Sequence, residues 1–361
     1  MAISVNPTNP NRVVDRTKYL TQIPINYQLT EDLKLFRDIY STQREVELTQ
    51  DVIDDGILTH RNWDERNQTV GRDKQRSILV RIPHTPADDA IYPNDIEGVI
   101  STAEGAGILE LESVANVRAQ KMVKLRRTHA ITREASRLHL IATGEVLDPR
   151  GVLEQSYGPF NFYTEFGVTR SEFEIPLGEA DNPKPDLDEA YEAVQDSIGG
   201  VGMFTNQVAL CSPEFFNALT GNGYFIEANK AVLTPQSVGV LLGQPTGAIA
   251  GLSPRYKTVE YAGIIFVNVG KATYKLPDGT RQRFIPEGEA FLLPHGFDDL
   301  LVTYYAPPNK FGANGVNTRS QGSYWFEYMN DKQDVIEIMT EQNFLNAMLY
   351  PQSVVKLSIK P

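Results

Sequence analysis

The chain has 361 residues, of which 41% are hydrophobic and 22% charged, and its formal net charge is −12 at pH 7. A chain of this length is expected to fold as two or three domains, and its acidic balance disfavours non-specific binding of duplex DNA by the surface as a whole. The single cysteine, Cys211, excludes an intramolecular disulfide framework, and the sequence shows neither the apolar core of a signal peptide at its N-terminus nor an apolar run long enough to span a membrane.

The first part of the chain, residues 1–55, reads as an N-terminal arm. Pro7 and Pro10 keep the residues before them out of the helical region, so the start is expected to be extended or disordered. Apolar residues then alternate over 23–29 and cluster over 33–39. Such a segment must be buried against something, either in its own subunit or in another.

Residues 56–86 predict a hairpin with a long polar middle. Short apolar runs at 57–58 and 78–80 flank it as two strands, and 62–77 is almost wholly polar. So polar a hairpin has too little apolar area to form a core, and we therefore interpret it as a projecting loop that binds something. Its cations are Arg61, Arg66, Arg72, Lys74, Arg76 and Arg81.

The stretch from Leu109 to Glu145 predicts one long helix, because it contains no proline and no glycine before Gly144. About 30 residues at 1.5 Å each would make a rod about 45 Å long. Apolar residues recur along one face at steps of three and four, with Thr128 filling a gap. The members of that face are Leu125, Ile131, Ala135, Leu138, Ile141 and Ala142.

Opposite charges occupy this helix and the segment before it. The helix carries the cations Lys121, Lys124, Arg126, Arg127 and Arg133. Residues 88–112 contain seven acids and no Lys or Arg, and they include Asp88, Asp89, Asp95 and Glu97. We interpret the Asp88-Asp89 pair as part of a solvent-facing turn.

The rest of the chain alternates strands and helices. Two short strands are predicted around 151–168 and 171–178, followed by a helix over 185–198 with Asp186 as its cap. A glycine-rich hinge at 199–204 then leads into an α+β unit, with a helix capped by Ser212 and a hairpin turning at 277–279. Strand-like segments close the chain, and we expect the last one, 355–359, to complete the domain that holds the long helix.

No catalytic, cofactor-binding or metal-binding residue can be assigned. The five histidines lack metal-ligand spacing, and the sequence has neither a phosphate-binding loop nor a nucleophile elbow. Cys211 lies in an apolar strand and is interpreted as an inert buried thiol. A soluble acidic hydrolase remains an alternative, but no residue stands out to support it.

The order of these parts resembles that of the major capsid proteins of tailed bacteriophages, which have the Hong Kong ninety-seven fold. Within that fold the chain is most similar to the lambda-type major head proteins. The residues that carry the resemblance are LTQIP (20–24), LKLF (33–36), PH (83–84), TGEVLDP (143–149), YKTVEYAGIIFVNVG (256–270) and RFIPEGEAFLLP (283–294), followed by a short terminal strand.

The resemblance implies an α+β fold divided into an N-terminal arm (1–55), an extended E-loop hairpin (56–86), a peripheral domain with a long spine helix (87–199), an axial domain (200–325) and a return to the peripheral domain (326–361). It implies a non-enzymatic head protein that assembles as pentamers and hexamers into the icosahedral shell around a double-stranded DNA genome. Such a protein belongs to the virion capsid and assembles in the cytoplasm of the bacterial host. The alternative within this architecture is the shell of an encapsulin-like cellular nanocompartment.

The resemblance also implies partners. About 100 residues precede the helix, which leaves no room for a large scaffolding domain, so we expect a separate scaffold protein, a portal and a decoration protein. We further hypothesise that the basic hairpin of one subunit docks on the acidic segment of a neighbour. The basic side of the spine helix either faces DNA or pairs with acids of its own subunit, and the acidic net charge favours the second alternative.

Overall fold

The computed structural model describes residues 14–15, 28–52, 74–95, 109–150, 160–198, 202–232, 256–297, 299–309, 322–330 and 335–360. These residues form an α+β fold. The helices are α1 (Leu29–Asp32), α2 (Leu109–Thr143), α3 (Phe162–Phe166), α4 (Lys184–Ile198), α5 (Pro213–Gly221) and α6 (Gly223–Val232), with a 3-10 turn at Pro351–Ser353.

The first eight strands are β1 (Val14–Asp15), β2 (Arg37–Tyr40), β3 (Glu45–Val52), β4 (Lys74–Arg81), β5 (Pro86–Ile91), β6 (Glu172–Ile175), β7 (Asn206–Cys211) and β8 (Thr258–Tyr261). The others are β9 (Ile264–Asn268), β10 (Thr273–Lys275), β11 (Arg281–Arg283), β12 (Glu289–His295), β13 (Leu301–Tyr305), β14 (Tyr324–Asn330), β15 (Val335–Glu341), β16 (Phe344–Met348) and β17 (Val355–Ile359).

The long helix is confirmed as α2, which has 35 residues and is therefore about 50 Å long. It ends where the sequence places the stop, at Gly144, whose φ of 76° is left-handed and whose N–H donates to the Leu140 carbonyl. The predicted apolar face needs one correction. Thr128 is exposed and the neighbouring His129 is buried in its place, because the helix turns that position toward β15.

A six-stranded sheet in the order β6-β17-β12-β7-β9-β8 forms the largest layer, and α4 and α5 pack on it. Two findings bear on the expected domains, which stay a prediction. The last strand, β17, lies in this sheet, where Val355 and Leu357 are buried between β6 and β12. Strand β6 and helix α4, which precede the expected boundary at residues 199–200, belong to the same sheet unit as the strands that follow that boundary.

Two smaller sheets pack against α2. The sheet β1-β14-β15-β5 covers the first half of the helix, where Met122 and Leu125 meet Trp325 and Ile338. The sheet β16-β13-β2 covers the second half. Asp88 and Asp89 lie in β5 and not in a turn as expected, because β5 hydrogen-bonds along its length to β15.

The hairpin begins earlier than the sequence analysis placed it. Its first strand is β3, in the segment assigned to the arm, and it pairs antiparallel with β4 from Glu45↔Arg81 to Val52↔Lys74. Val46, Leu48 and Val80 are buried in the main core. The base of the hairpin is therefore a core element, which corrects the expectation of a wholly projecting loop; the predicted strand at 57–58 lies outside the described residues.

Part of the arm also belongs to the body of the subunit. Leu29, Leu33 and Leu35 are at most 7% exposed, and β2 pairs in parallel with β13. We call residues 28–40 the strap, because they run across the second half of α2. In the apolar cluster predicted over 33–39, Leu33 and Leu35 are thus buried within their own subunit, and Phe36 and Ile39 are partly buried there.

Two local assignments differ from the expectations. Residues 162–166 form the short helix α3 instead of a strand, because the Asn161 side chain accepts a hydrogen bond from the Tyr163 N–H and Gly167 (φ 61°) ends the turn. Helix α4 begins at Lys184, two residues before the expected cap, where the Asn182 side chain accepts from the Lys184 N–H.

Lys34 gives a first testable prediction, because it is exposed and its φ of 51° is left-handed. Replacement by glycine should raise the free energy of unfolding by about 0.5–1 kcal/mol, since glycine adopts this conformation without steric cost. Urea denaturation of the unassembled subunit measures the change. A less stable Lys34→Gly variant would contradict it.

Candidate assembly surfaces

The strap is fixed to α2 by a buried carboxylate. Glu134 accepts hydrogen bonds from the Thr30 N–H (3.0 Å to Oε1) and from the Thr30 hydroxyl (2.7 Å to Oε2). Burial raises the pKa of Glu134, and the two hydrogen bonds from Thr30 oppose that rise. The contact ties α1 to the middle of the long helix.

Two arginines on the same part of α2 form ion pairs with acidic residues of the strap. Arg133 lies 2.6 Å from the carboxylate of Glu31. Arg137, which is 2% exposed, donates to Asp38 at 2.8 Å and to the Thr303 hydroxyl of β13 at 2.9 Å. Its guanidinium also stacks over the Phe36 ring at 4.8 Å. One buried side chain therefore joins the strap, the helix and the sheet behind them.

The first half of α2 is joined to β5 by a second set of ion pairs. Lys121 lies 3.1 Å from Asp89 and 3.3 Å from Asp95, and it also donates to the Ala90 carbonyl. Burial disfavours the charged form of Asp89, but the Ala90 N–H and the Lys121 ammonium outweigh burial and lower its pKa. Burial likewise opposes the charge of Lys121, whose pKa is nonetheless raised by the two aspartates.

These contacts divide the basic residues of the helix into two groups. Lys121 and Arg133 are largely covered and lie within 4 Å of acids of the same chain, whereas Lys124 lies 3.7 Å from Asp89 with a side chain that is 74% exposed. Arg127 is exposed. Arg126 is half-buried, and both burial and the nearby Arg133 lower its pKa.

The predicted interface residues are only partly placed. Arg61, Arg66, Arg72 and Glu97 lie outside the described residues, and of Lys74 only the backbone at the start of β4 is described. Arg76 donates to the Phe166 carbonyl of its own chain, Arg81 is exposed opposite Glu45, and Asp88 is exposed on β5. Within the described part of the chain no ion pair joins Arg76 or Arg81 to the acids of β5, so docking between subunits remains a hypothesis.

The sequence analysis missed the contacts of the strap. Thr30 and Glu134 are 104 residues apart, and no local pattern relates them. Charge was the one sequence feature that could have indicated these contacts. Glu31 and Asp38 lie in an apolar segment that must be buried, and the long helix is basic. That complementarity could have indicated docking within the subunit.

No reactive centre is evident in the described residues. They contain no group of three or more His, Cys, Asp or Glu side chains placed to hold a metal ion. Cys211 is fully buried, and burial raises the pKa of its thiol. A cavity of about 350 Å³ lies between the strap, α2 and the β9–β10 connection, but its one acid, Glu134, is already held by Thr30. No helix in the described residues is long and apolar enough to cross a membrane.

His129 gives a pH-dependent prediction. The Thr340 hydroxyl donates to the Ala87 carbonyl, so it accepts from the His129 Nε2–H at 2.8 Å, and burial lowers the pKa of His129 to about 4. A histidine whose folded pKa is depressed contributes stability above its unfolded pKa of 6.5, and that stability is lost as pH falls toward 4.

Lowering the pH from 7 to 4.5 should therefore cost the unassembled subunit about 2–3 kcal/mol through His129 alone. In His129→Gln, whose amide can still donate to Thr340, the loss over the same range should be smaller by that amount. Urea denaturation at the two pH values measures both losses. Equal losses in the two proteins would contradict the assignment.

Comparisons with known proteins bear on this architecture. The model of the family described as phage major capsid protein E matches residues 13–359. The chain is 34% identical over 349 residues to the major capsid protein of Pseudomonas phage KPP10, and 26% identical over 362 residues to that of Salmonella phage Felix O1. Each alignment covers 95% of both chains.

Solved structures agree at the level of the fold. The capsid of Ralstonia phage GP4 matches with a TM-score of 0.52 and 11% identity, over 99% of this chain and 94% of that one. The capsid of cyanophage A-1(L) matches with a TM-score of 0.50 and 12% identity, over 92% and 93%. The chain therefore has the Hong Kong ninety-seven-type capsid fold and belongs to the phage major capsid protein E family, whose members build the heads of tailed bacteriophages.

Proposed function

We propose that this major capsid protein assembles as pentamers and hexamers into a closed icosahedral shell around double-stranded DNA, and that it has no catalytic role. The observation that carries the proposal is the match of the capsid family over residues 13–359. The fold suits this function, because subunits joined through different surfaces on their two sides close into rings. Large areas can then be buried between copies.

The proposal extends to partners and to the place of assembly. We propose as partners a separate scaffold protein, a portal and a decoration protein. Assembly would take place in the cytoplasm of the bacterial host.

Expression with and without a co-expressed scaffold protein tests the proposal. Electron micrographs and light scattering should show large closed particles, and particles isolated from infected cells should protect DNA from nuclease. A small soluble species under both conditions would overturn it. Closed particles that contain a co-purifying enzyme instead of DNA would identify a cellular nanocompartment.

For contacts between subunits, we propose that the hairpin cations dock on the acidic segment of a neighbour. Asp89 and Asp95 are already engaged by Lys121, so among the described residues the exposed Asp88 is the acceptor we propose. Glu97, which lies outside the described residues, is the second acceptor that the sequence suggests. Exposed ion pairs contribute about 1 kcal/mol or less each. Their effect would come from repetition over every subunit of the shell.

Reversal of Arg61, Arg66 and Arg72 together to glutamate should accordingly block assembly and leave the stability of the unassembled subunit unchanged. Arg76 is spared because it contacts the Phe166 carbonyl of its own chain. The matched control reverses Lys34, Lys184 and Lys360, which are exposed on the body. Asp88→Lys with Glu97→Lys should partly restore assembly of the hairpin variant. Normal shells from the hairpin variant would refute the docking.

A further inference from the structure

The spine helix contains a long stretch without acids. Residues 114–132 include no Asp or Glu but five cations. Two of the five, Arg118 and Lys121, turn inward onto Glu327 and Asp89. The cations that remain toward solvent are Lys124, Arg127 and, in part, Arg126.

We call the solvent-facing side of this stretch the outer face of α2. It consists of Ala115, Asn116, Ala119, Gln120, Val123, Lys124, Arg127 and Thr128, all of which are exposed. Steps of one and three residues along the sequence place them in one stripe, about 20 Å long. Lys124 lies 3.7 Å from Asp89, but its side chain is 74% exposed and can reach another anion.

The composition of this stripe argues against a protein partner. The centres of protein interfaces are enriched in aromatic residues and methionine and depleted in lysine. The outer face has no aromatic residue and no methionine, and Val123 is its one larger apolar side chain. Its alanines and short polar residues leave the two cations accessible.

A polyanion suits the composition of the outer face better than a protein partner does. The chain as a whole has a net charge of −12 and would repel DNA over most of its surface. An acid-free stripe with two extended cations lowers that repulsion locally, and contacts to phosphate need no particular base sequence. Every subunit repeats the stripe.

We propose that the outer face of α2 contacts the phosphate backbone of the packaged duplex DNA, with Lys124 and Arg127 as the residues that meet phosphates. This inference rests on the proposed function, because it requires a shell that encloses DNA. Neutralising two phosphates gives a slope of about −1.8 in log affinity against log salt, so a fourfold rise in salt should weaken the contact about tenfold. The interaction of one subunit is weak, and repetition around the shell makes it effective.

Photo-cross-linking in filled particles tests the proposal. The photoreactive residue p-benzoylphenylalanine replaces Val123, which is 51% exposed, in the full-length chain. A control places it at Tyr224, which is 44% exposed on α6. After irradiation, nuclease digestion and mass spectrometry, nucleotide adducts should form at position 123 at a several-fold higher yield than at position 224.

Charge variants in the same background then test the two cations. Lys124→Gln with Arg127→Gln should lower the adduct yield at position 123 several-fold, whereas Lys34→Gln with Lys184→Gln should leave it unchanged. Filled particles that give no nucleotide adduct, or only protein adducts, at position 123 would overturn the proposal, and protein adducts would identify a protein partner instead. Wild-type particles are first assayed for nuclease-protected DNA, so that failure of the proposed function is seen separately.

Discussion

Replacement of Arg137 by methionine should lower the free energy of unfolding of the unassembled subunit by about 2–3 kcal/mol, because it removes the buried partner of a half-buried ion pair together with its hydrogen bonds. The guanidinium is 2% exposed and serves Asp38 and Thr303 together. Burial already raises the pKa of Asp38, and the loss of Arg137 would remove the charge that opposes this rise most strongly. Methionine fills most of the volume, so the loss measures the charge and its hydrogen bonds rather than a cavity.

Urea denaturation of the wild type and the variant measures the difference in the free energy of unfolding. Two controls separate the loss of the ion pair from the effect of the substitution itself. Arg127→Met, on the exposed side of the same helix, should change the free energy of unfolding by less than about 0.5 kcal/mol. Arg137→Met combined with Asp38→Asn should be less costly than the sum of the two single changes, because the aspartate charge is no longer left without its partner. A cost for Arg137→Met as small as that for Arg127→Met would show that the strap is held by its leucines alone.

The effect should extend to assembly. The strap is fixed to α2 at Thr30, Glu31 and Asp38, and Arg137 is the fixing residue that also reaches β13. Loosening the strap would free Leu33 and Leu35 from the core and shift the backbone of residues 28–40. We expect Arg137→Met to lower the yield of closed particles by more than its loss of subunit stability explains.

The elements that could be predicted from the sequence are those whose ends are fixed by local chemistry. The long helix stops at Gly144 because glycine takes the left-handed conformation there. Helix α5 starts where Ser212 accepts from the Phe215 N–H and Pro213 fills the first helical position. The predicted hairpin turn at 277–279 joins β10 to β11, and Gly279 has a φ of 93° there.

Long-range pairing could not be predicted in the same way. The alternation at Val355 and Leu357 shows that β17 has a buried face, but not that its neighbours are β6 and β12. For the candidate surfaces, the charged residues could be identified from the sequence, but the residues with which they form ion pairs could not. Asp89 and Lys121 are 32 residues apart, and only the packing of β5 against α2 brings them together.

Gly144→Ala is the second change with a large expected effect, about 2–4 kcal/mol of lost stability. A φ of 76° is strained for any residue with a Cβ atom, and this Cβ would lie 2.3 Å from Cε2 of the Tyr163 ring. The ring is 9% exposed and has little room to move. It also packs against Arg170, whose guanidinium donates to the Ile141 and Ala142 carbonyls at the end of α2. Displacing Tyr163 therefore disturbs the cap of the spine helix as well.

The two contributions to this cost can be separated by a double-mutant cycle. In a Tyr163→Val background the added methyl group has space, so Gly144→Ala should cost only the backbone strain, about 1–2 kcal/mol. Gly221→Ala is the matched control, because Gly221 has nothing within 4 Å of its Cβ position and lies at the end of α5. That change should be neutral or stabilising by up to about 1 kcal/mol. Equal costs of Gly144→Ala in both backgrounds would assign the whole penalty to the backbone, and a neutral Gly144→Ala would contradict the left-handed end of the spine helix.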